Sequence, residues 1–194
     1  MAEEVPGWLA SDDYESVRAR VPIVCVDLIP YFAARPDPYL LISRGDGADR
    51  TPGPGWCWVG GRVRRREALA SAARRHLVAT LGPEVAVARA DWTAPDAVTE
   101  LLPVGAAIGP PGSAPRDPRM HAISLCWVID CGGSPIAIGE AAKLGWFSAP
   151  DLGVESGRFA FGLGGVITRI VEADAARRAD PIKSGGSRAS KGDG

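Results

Sequence analysis

Gly60-Gly61-Arg62-Val63-Arg64-Arg65-Arg66-Glu67-Ala68-Leu69-Ala70-Ser71-Ala72-Ala73-Arg74-Arg75-His76-Leu77-Val78-Ala79-Thr80-Leu81-Gly82 is the run of residues around which this chain organises itself. Leu69, Ala73, Leu77 and Leu81 recur at every fourth position and form one apolar stripe, so residues 67–81 are expected to be helical. Gly82 followed by Pro83 ends that helix, because glycine accepts the C′ conformation and proline cannot continue a helical ladder. Ahead of it, residues 56–59 read as a brief strand that stops at Gly60-Gly61. The unit is therefore a strand, a double glycine, an arginine-rich loop and a helix.

Towards the N-terminus, the run 22–29 is rich in β-branched residues and reads as a buried strand, and 39–43 as a second. Residues 45–55, dense in Gly, Asp and Pro, read as a loop. Ser11-Asp12-Asp13 is an N-cap signal with acidic first-turn residues, which places a short helix within 8–20. Beyond Gly82, strands are expected at 104–108, 122–129 and 144–147, with a Gly/Pro-rich charged loop at 109–119 and a last helix at 164–176. This order predicts an α/β fold, a mixed sheet covered by helices on both faces. The expected domain organisation is an N-terminal tail at 1–7, one domain at 8–179, and a disordered polar tail at 180–194.

The 194 residues suffice for one sizeable core, and 46% hydrophobic with 23% charged residues is the balance of a water-soluble globular domain. A net charge of −1 supplies no global field for nucleic acid or membrane surfaces, so neither is an expected partner. No apolar run approaches the roughly 18–20 residues needed to span a bilayer. The first residues, Met-Ala-Glu-Glu, have neither the basic nor the apolar region of a secretory signal. Cys25, Cys57, Cys126 and Cys131 lack CxxC spacing and are read as buried reduced thiols, consistent with a cytoplasmic location.

The spacing from Gly61 through five residues to Glu67, seven more to Arg75, then Leu77 and Gly82, resembles the Nudix signature G-x5-E-x7-R-E-U-x-E-E-x-G-U, where U is bulky and apolar. That resemblance implies a Nudix α/β/α sandwich and hydrolysis of a nucleoside-diphosphate compound. It also implies Mg²⁺ or Mn²⁺ held by glutamates on one helix face together with Gly60 and Glu67. Three of those glutamate positions are here His76, Ala79 and Thr80, none a carboxylate, and Mg²⁺ prefers hard oxygen ligands. Any metal binding is accordingly expected to be weak. Gly61, Glu67, Arg75 and Gly82 carry the structural half of the motif, with Glu67 and Arg75 forming a salt bridge that pins loop to helix.

Residues 55–63, with Pro22, Asp27 and Arg44, resemble the GDP-mannose mannosyl hydrolase branch, which implies a nucleotide-sugar ligand. Trp8-Leu9, 22–27, 56–63, 80–83 and 117–122 also resemble a bacterial Nudix-like family of unknown function. Arg44, Arg62 and Arg119 are candidate phosphate ligands, since a guanidinium grips a diphosphate through two parallel hydrogen bonds. Asp27, an acid inside an apolar strand, is paired or faces a pocket. Glu67 and His121 are the candidate catalytic residues, His121 as an imidazole base, and Glu84 and Glu140 are the acids nearest the expected site. Two functions stand side by side: a nucleotide-sugar or related hydrolase, and a catalytically inactive module that binds a nucleotide or a partner protein. A homodimer is left open.

Overall fold

The structure, a computed structural model, describes residues 9–44, 55–89, 91–103, 115–154 and 158–180. Its elements are α1 (Ser11–Arg18), β1 (Ile23–Tyr31), β2 (Tyr39–Ser43), β3 (Trp56–Cys57), β4 (Val59–Arg62), α2 (Leu69–Leu81), β5 (Ala86–Arg89), β6 (Ala97–Leu101), β7 (Ala122–Gly132), β8 (Lys143–Phe147), α3 (Ala149–Val154) and α4 (Gly164–Ala179). The strand expected at 104–108 and, Asp180 apart, the two terminal tails lie outside the described residues.

β1 is the axis of the sheet. It runs parallel to β7 from Ile23↔Ala122 to Tyr31↔Asp130, and antiparallel to β4 and β2 on its other side. Strands β3 and β8 extend the sheet from β2, while β5 and β6 pair antiparallel with β7. Parallel and antiparallel ladders thus coexist, as the mixed-sheet expectation requires. A strand flanked on both edges and covered on both faces is apolar apart from Asp27, and Cys25 to Pro30 are all buried. α2 packs on β1 and β4 through Ala72, Ala73, Leu77 and Leu81, and α4 packs on β7 and α3 through Val166, Ile167, Ile170 and Val171. Among the described residues no helix is long and apolar enough to cross a membrane.

Two departures from the sequence reading matter for the site. The strand expected at 56–59 is divided: Trp56–Cys57 pairs with β2, and Val59–Arg62 crosses to pair with β1. The double glycine therefore lies inside β4 rather than after it. At Gly60, opposite Asp27, a Cβ would come within 2.2 Å of the Val26 carbonyl oxygen and 2.4 Å of Asp27 Oδ1. Glycine is what allows the two strands to approach so closely. The second departure is the presence of β5, β6 and α3, which were not expected. α3 contains Pro150 and Gly153, poor helix formers, and is seated by Leu152, fully buried where α3 meets α4.

Candidate functional site: an arginine-lined cleft at the double glycine

The loop from β4 to α2 is held by one side-chain clamp. Arg75 donates from Nε to Glu67 Oε1 (2.7 Å) and from Nη2 to Glu67 Oε2 (2.7 Å). The same Nη2 donates to the Arg62 carbonyl at 3.0 Å, and Glu67 Oε2 also accepts the Arg64 backbone N–H at 2.9 Å. The turn includes Arg66 at φ 63°, a left-handed conformation that a non-glycine residue adopts at some cost and that the clamp helps to hold. The hydrogen bond from Arg75, together with that from Arg64, holds the Glu67 carboxyl down to about 2. Both Glu67 oxygens are thus engaged, and the residue lines a neighbouring groove with Tyr14, Arg64 and Ser71 rather than the cleft described next.

That cleft, of about 880 Å³, opens where α1, the end of β2, the double glycine and α2 meet. Arg18, Arg44, Arg62 and Arg119 line it, together with Gly60 and Gly61. Its carboxylates are Glu15 and Glu140. Each is paired: Arg18 Nε donates to Glu15 Oε2 at 2.6 Å, and Arg44 Nη2 lies 2.9 Å from Glu140 Oε2. Glu140 is delivered by the turn after β7. There Gly139 takes φ 59° and stands so close to α2 that a Cβ would be 2.4 Å from the Ala79 carbonyl oxygen.

The helix contributes His76, Ala79 and Thr80 to the cleft wall. The His76 ring packs under Gly61, with Cε1 2.9 Å from where a Cβ would begin. Its Nε2 is 3.2 Å from the Arg62 carbonyl, which can only accept, so Nε2 carries the proton. Burial lowers the imidazole to about 4, only partly opposed by the carbonyl, and His76 is neutral at pH 7. With four arginines against Glu15, Glu140 and the Asp117 carboxylate that Arg119 grips, and with a neutral histidine, the cleft keeps an excess of positive charge.

Asp27 lies at the floor, in an adjoining pocket of about 40 Å³ that shares Arg44, Gly60, Gly61, Arg119 and Met120 with the cleft. Its Oδ2 accepts a short hydrogen bond from Ser124 Oγ. Burial raises its carboxyl to about 7, against the lowering effects of the Ser124 bond and Arg44. Arg119 is oriented by a bidentate grip on Asp117, Nε to Oδ1 at 3.0 Å and Nη2 to Oδ2 at 2.8 Å.

Of the residues singled out from sequence, Arg44, Gly60, Gly61, Arg62 and Arg119 converge on the cleft and Asp27 sits beneath it. Glu67 and Arg75 form the loop clamp, and Gly82 is the C-cap of α2, its N–H bonded to the Val78 carbonyl. His121 is apart from them, Nε2 2.8 Å from Glu100 Oε1, and is not among the cleft-lining residues; neither is Glu84. The four cysteines are buried and free, with burial pushing every thiol up, so they are core residues.

Sequence reasoning missed what α1 does. None of its residues is buried, so apolar packing does not hold it. Instead the Arg62 guanidinium stacks 3.7 Å from the Tyr14 ring centroid, Tyr14 OH donates to Met120 Sδ at 3.5 Å, and Arg18 Nη1 donates to the Arg119 carbonyl at 2.5 Å. A helix without an apolar stripe was the signal available.

The donor set does not suit a divalent cation. The α2 positions facing the double glycine offer an imidazole, a methyl and a buried hydroxyl; Thr80 is 2% exposed. Glu67 is consumed by Arg75 and both cleft glutamates by arginines. Among the described residues no group of three or more His, Cys, Asp or Glu side chains could hold a metal ion. Mg²⁺ demands near-octahedral oxygen ligands, which this wall does not provide.

The architecture is that of the Nudix hydrolases. A protein of Jonesia denitrificans described as a possible asymmetric diadenosine tetraphosphate hydrolase superposes with a TM-score of 0.65 at 23% identity, covering 81% of this chain and 97% of that one. The MutT protein of Methanosarcina mazei gives 0.57 at 15% identity, covering 80% and 97%. The Nudix domain of Shewanella oneidensis NrtR, solved with ADP ribose, gives 0.52 at 15% identity, covering 86% and 99%. At these identities the likeness establishes the fold. No curated protein matches the chain in sequence. The chain belongs to the family described as Domain of unknown function (DUF4916), whose model matches residues 4–157.

Proposed function

We propose that the cleft binds a nucleoside-diphosphate compound, with Arg44, Arg62 and Arg119 holding the diphosphate, and that the protein works as a binding module on a Nudix scaffold. The observation that carries this reading is the convergence of four arginine side chains on one concave site where the fold brings β2, β4 and α2 together. Guanidinium forks match pairs of phosphate oxygens, and the partly enclosed site strengthens each contact relative to open water. The helix positions that would carry metal-binding carboxylates are His76, Ala79 and Thr80, so the box is degenerate and hydrolysis by the usual metal cluster is not supported. A nucleotide sugar remains the ligand favoured by the sequence around Gly60.

One observation favours a second reading, hydrolysis. Asp27, raised to about 7 beneath the cleft and beside Gly60, is a carboxyl poised to accept a proton near neutral pH. Isothermal titration with ADP, ADP-ribose and GDP-mannose tests the binding reading, and ³¹P NMR of the same mixtures tests turnover. Binding without turnover supports the module; turnover lost in Asp27→Asn supports the enzyme. No heat with any of the three compounds overturns the cleft assignment.

A further inference from the structure

Resting on the cleft reading above, we infer that the site takes its diphosphate ligand in the metal-free form, so that Mg²⁺ competes with the protein for the ligand instead of completing the site. The donor chemistry points this way from four sides. His76, wedged against Gly61, occupies the helix position nearest the double glycine with a ring, and its Nε2–H faces inward to the Arg62 carbonyl. That carbonyl already accepts from Arg75 as well, so the loop oxygen has no lone pair directed at a cation. Glu15 and Glu140 each face a guanidinium at hydrogen-bond distance, and a cation drawn to either would sit beside a positive charge.

The fourth side is Arg44. Its side chain is 13% exposed, and although Nη2 reaches Glu140, its Nε is buried with no hydrogen-bond partner among the described residues. A buried donor without an acceptor is costly, and a phosphate in the cleft that drew the Arg44 side chain towards itself would supply one. Arg44 is thus the cleft guanidinium with a donor to spare for an anion, whereas Arg119 is gripped by Asp117 and Arg18 by Glu15. When Mg²⁺ occupies the diphosphate oxygens, it takes the same lone pairs the forks need and cancels most of the charge that attracts them. In a metal-dependent site the carboxylates make the metal complex the preferred ligand; here the sign is reversed.

The test is calorimetric titration of the full chain with ADP and with inorganic pyrophosphate, at matched ionic strength, in EDTA and then in Mg²⁺ sufficient to saturate the ligand. Matching ionic strength matters because added salt alone screens arginine contacts. Affinity is expected to fall by about fivefold or more in Mg²⁺, the size expected when charge-assisted bonds are lost from a multidentate site. Mn²⁺ titrated alone and followed by its EPR signal is expected to remain free at concentrations comparable with the protein. Equal or tighter binding in Mg²⁺, or capture of Mn²⁺ by the protein, overturns the inference while leaving the cleft as a binding site. No binding of either compound in either buffer overturns the cleft reading itself, and this inference with it.

Discussion

Arg44 Nη2 stands 2.9 Å from Glu140 Oε2, an ion pair that joins the end of β2 to the turn before β8 across the cleft floor. The ladder between these two strands sets the distance: Ser43 pairs with Lys143, and Ala142 N–H donates to the Ser43 carbonyl at 2.8 Å. The pair is imperfect, since Arg44 Nε and Glu140 Oε1 are both buried without a partner among the described residues.

Loss of the arginine forks should weaken the ligand more than the fold. Arg44→Ala and Arg62→Ala are each expected to cost about 1.5–3 kcal/mol of nucleotide affinity, the range for hydrogen bonds to charged groups. Lysine at either position should restore only part, because a point charge lacks the fork. Calorimetry on the single variants measures this; unchanged affinity in the Arg44→Ala/Arg62→Ala double variant removes the phosphate site.

The Glu67–Arg75 clamp should behave in the opposite way. Glu67→Ala is expected to destabilise the protein by about 1.5–3 kcal/mol, below the roughly 3–5 of a fully buried broken pair, since these side chains are 14% and 22% exposed. Because the folded carboxyl is held at about 2 against an ordinary 4.5, its contribution is complete above pH 4.5 and fades as pH falls through 2. Urea denaturation of wild type and Glu67→Gln should therefore show a gap that is constant above pH 5 and narrows in acid. A full-sized gap at pH 2, or an unchanged midpoint for Glu67→Ala with ligand binding abolished, would contradict the clamp.

Asp27 gives a pH dependence of the other sign. Burial raises it from 3.8 to about 7, so the folded state holds a proton that the unfolded chain releases between these values. Its contribution to stability is full below pH 3.8 and declines as pH rises through 7. Asp27→Asn cannot ionise, and its stability relative to wild type should climb between pH 4 and pH 8. Parallel pH profiles for the two proteins would show that Asp27 ionises no differently after folding.

Rebuilding the helix face should convert the site. His76→Glu with Ala79→Glu places two carboxylates three residues apart on the α2 face that lines the cleft, while buried Thr80 is left in place. The variant is expected to bind Mn²⁺ detectably by EPR and to bind ADP more tightly in Mg²⁺ than in EDTA. It should also lose stability without metal, through like-charge repulsion. A variant that folds, keeps ADP affinity in EDTA and ignores Mn²⁺ would place the obstacle to metal binding elsewhere in the wall.

What residues 60–82 determine is local. The four-residue apolar period makes α2, Gly82-Pro83 stops it, and the spacing of Glu67, in the loop just before α2, and Arg75, within α2, lets the helix residue reach back to the loop. The apolar run of β1 likewise declares a central strand from its own composition, and Asp27 within it is visible as an anomaly. These features depend on neighbours within a few turns of chain, where periodicity carries the information. The cleft itself is not of that kind. Nothing in the spacing of Tyr14, Arg62, Met120 and Glu140 indicates that they meet, because their proximity follows from the parallel β1–β7 pairing, the antiparallel β2–β8 pairing and a polar helix folded back over both. β6 was missed for the same reason: its five residues become a strand by pairing with β7, a partner distant in the chain. His121, an attractive base on paper, is turned to Glu100 on β6 by that same pairing. Local periodicity thus determined the scaffold, whereas long-range strand register decided which charges share one concave surface.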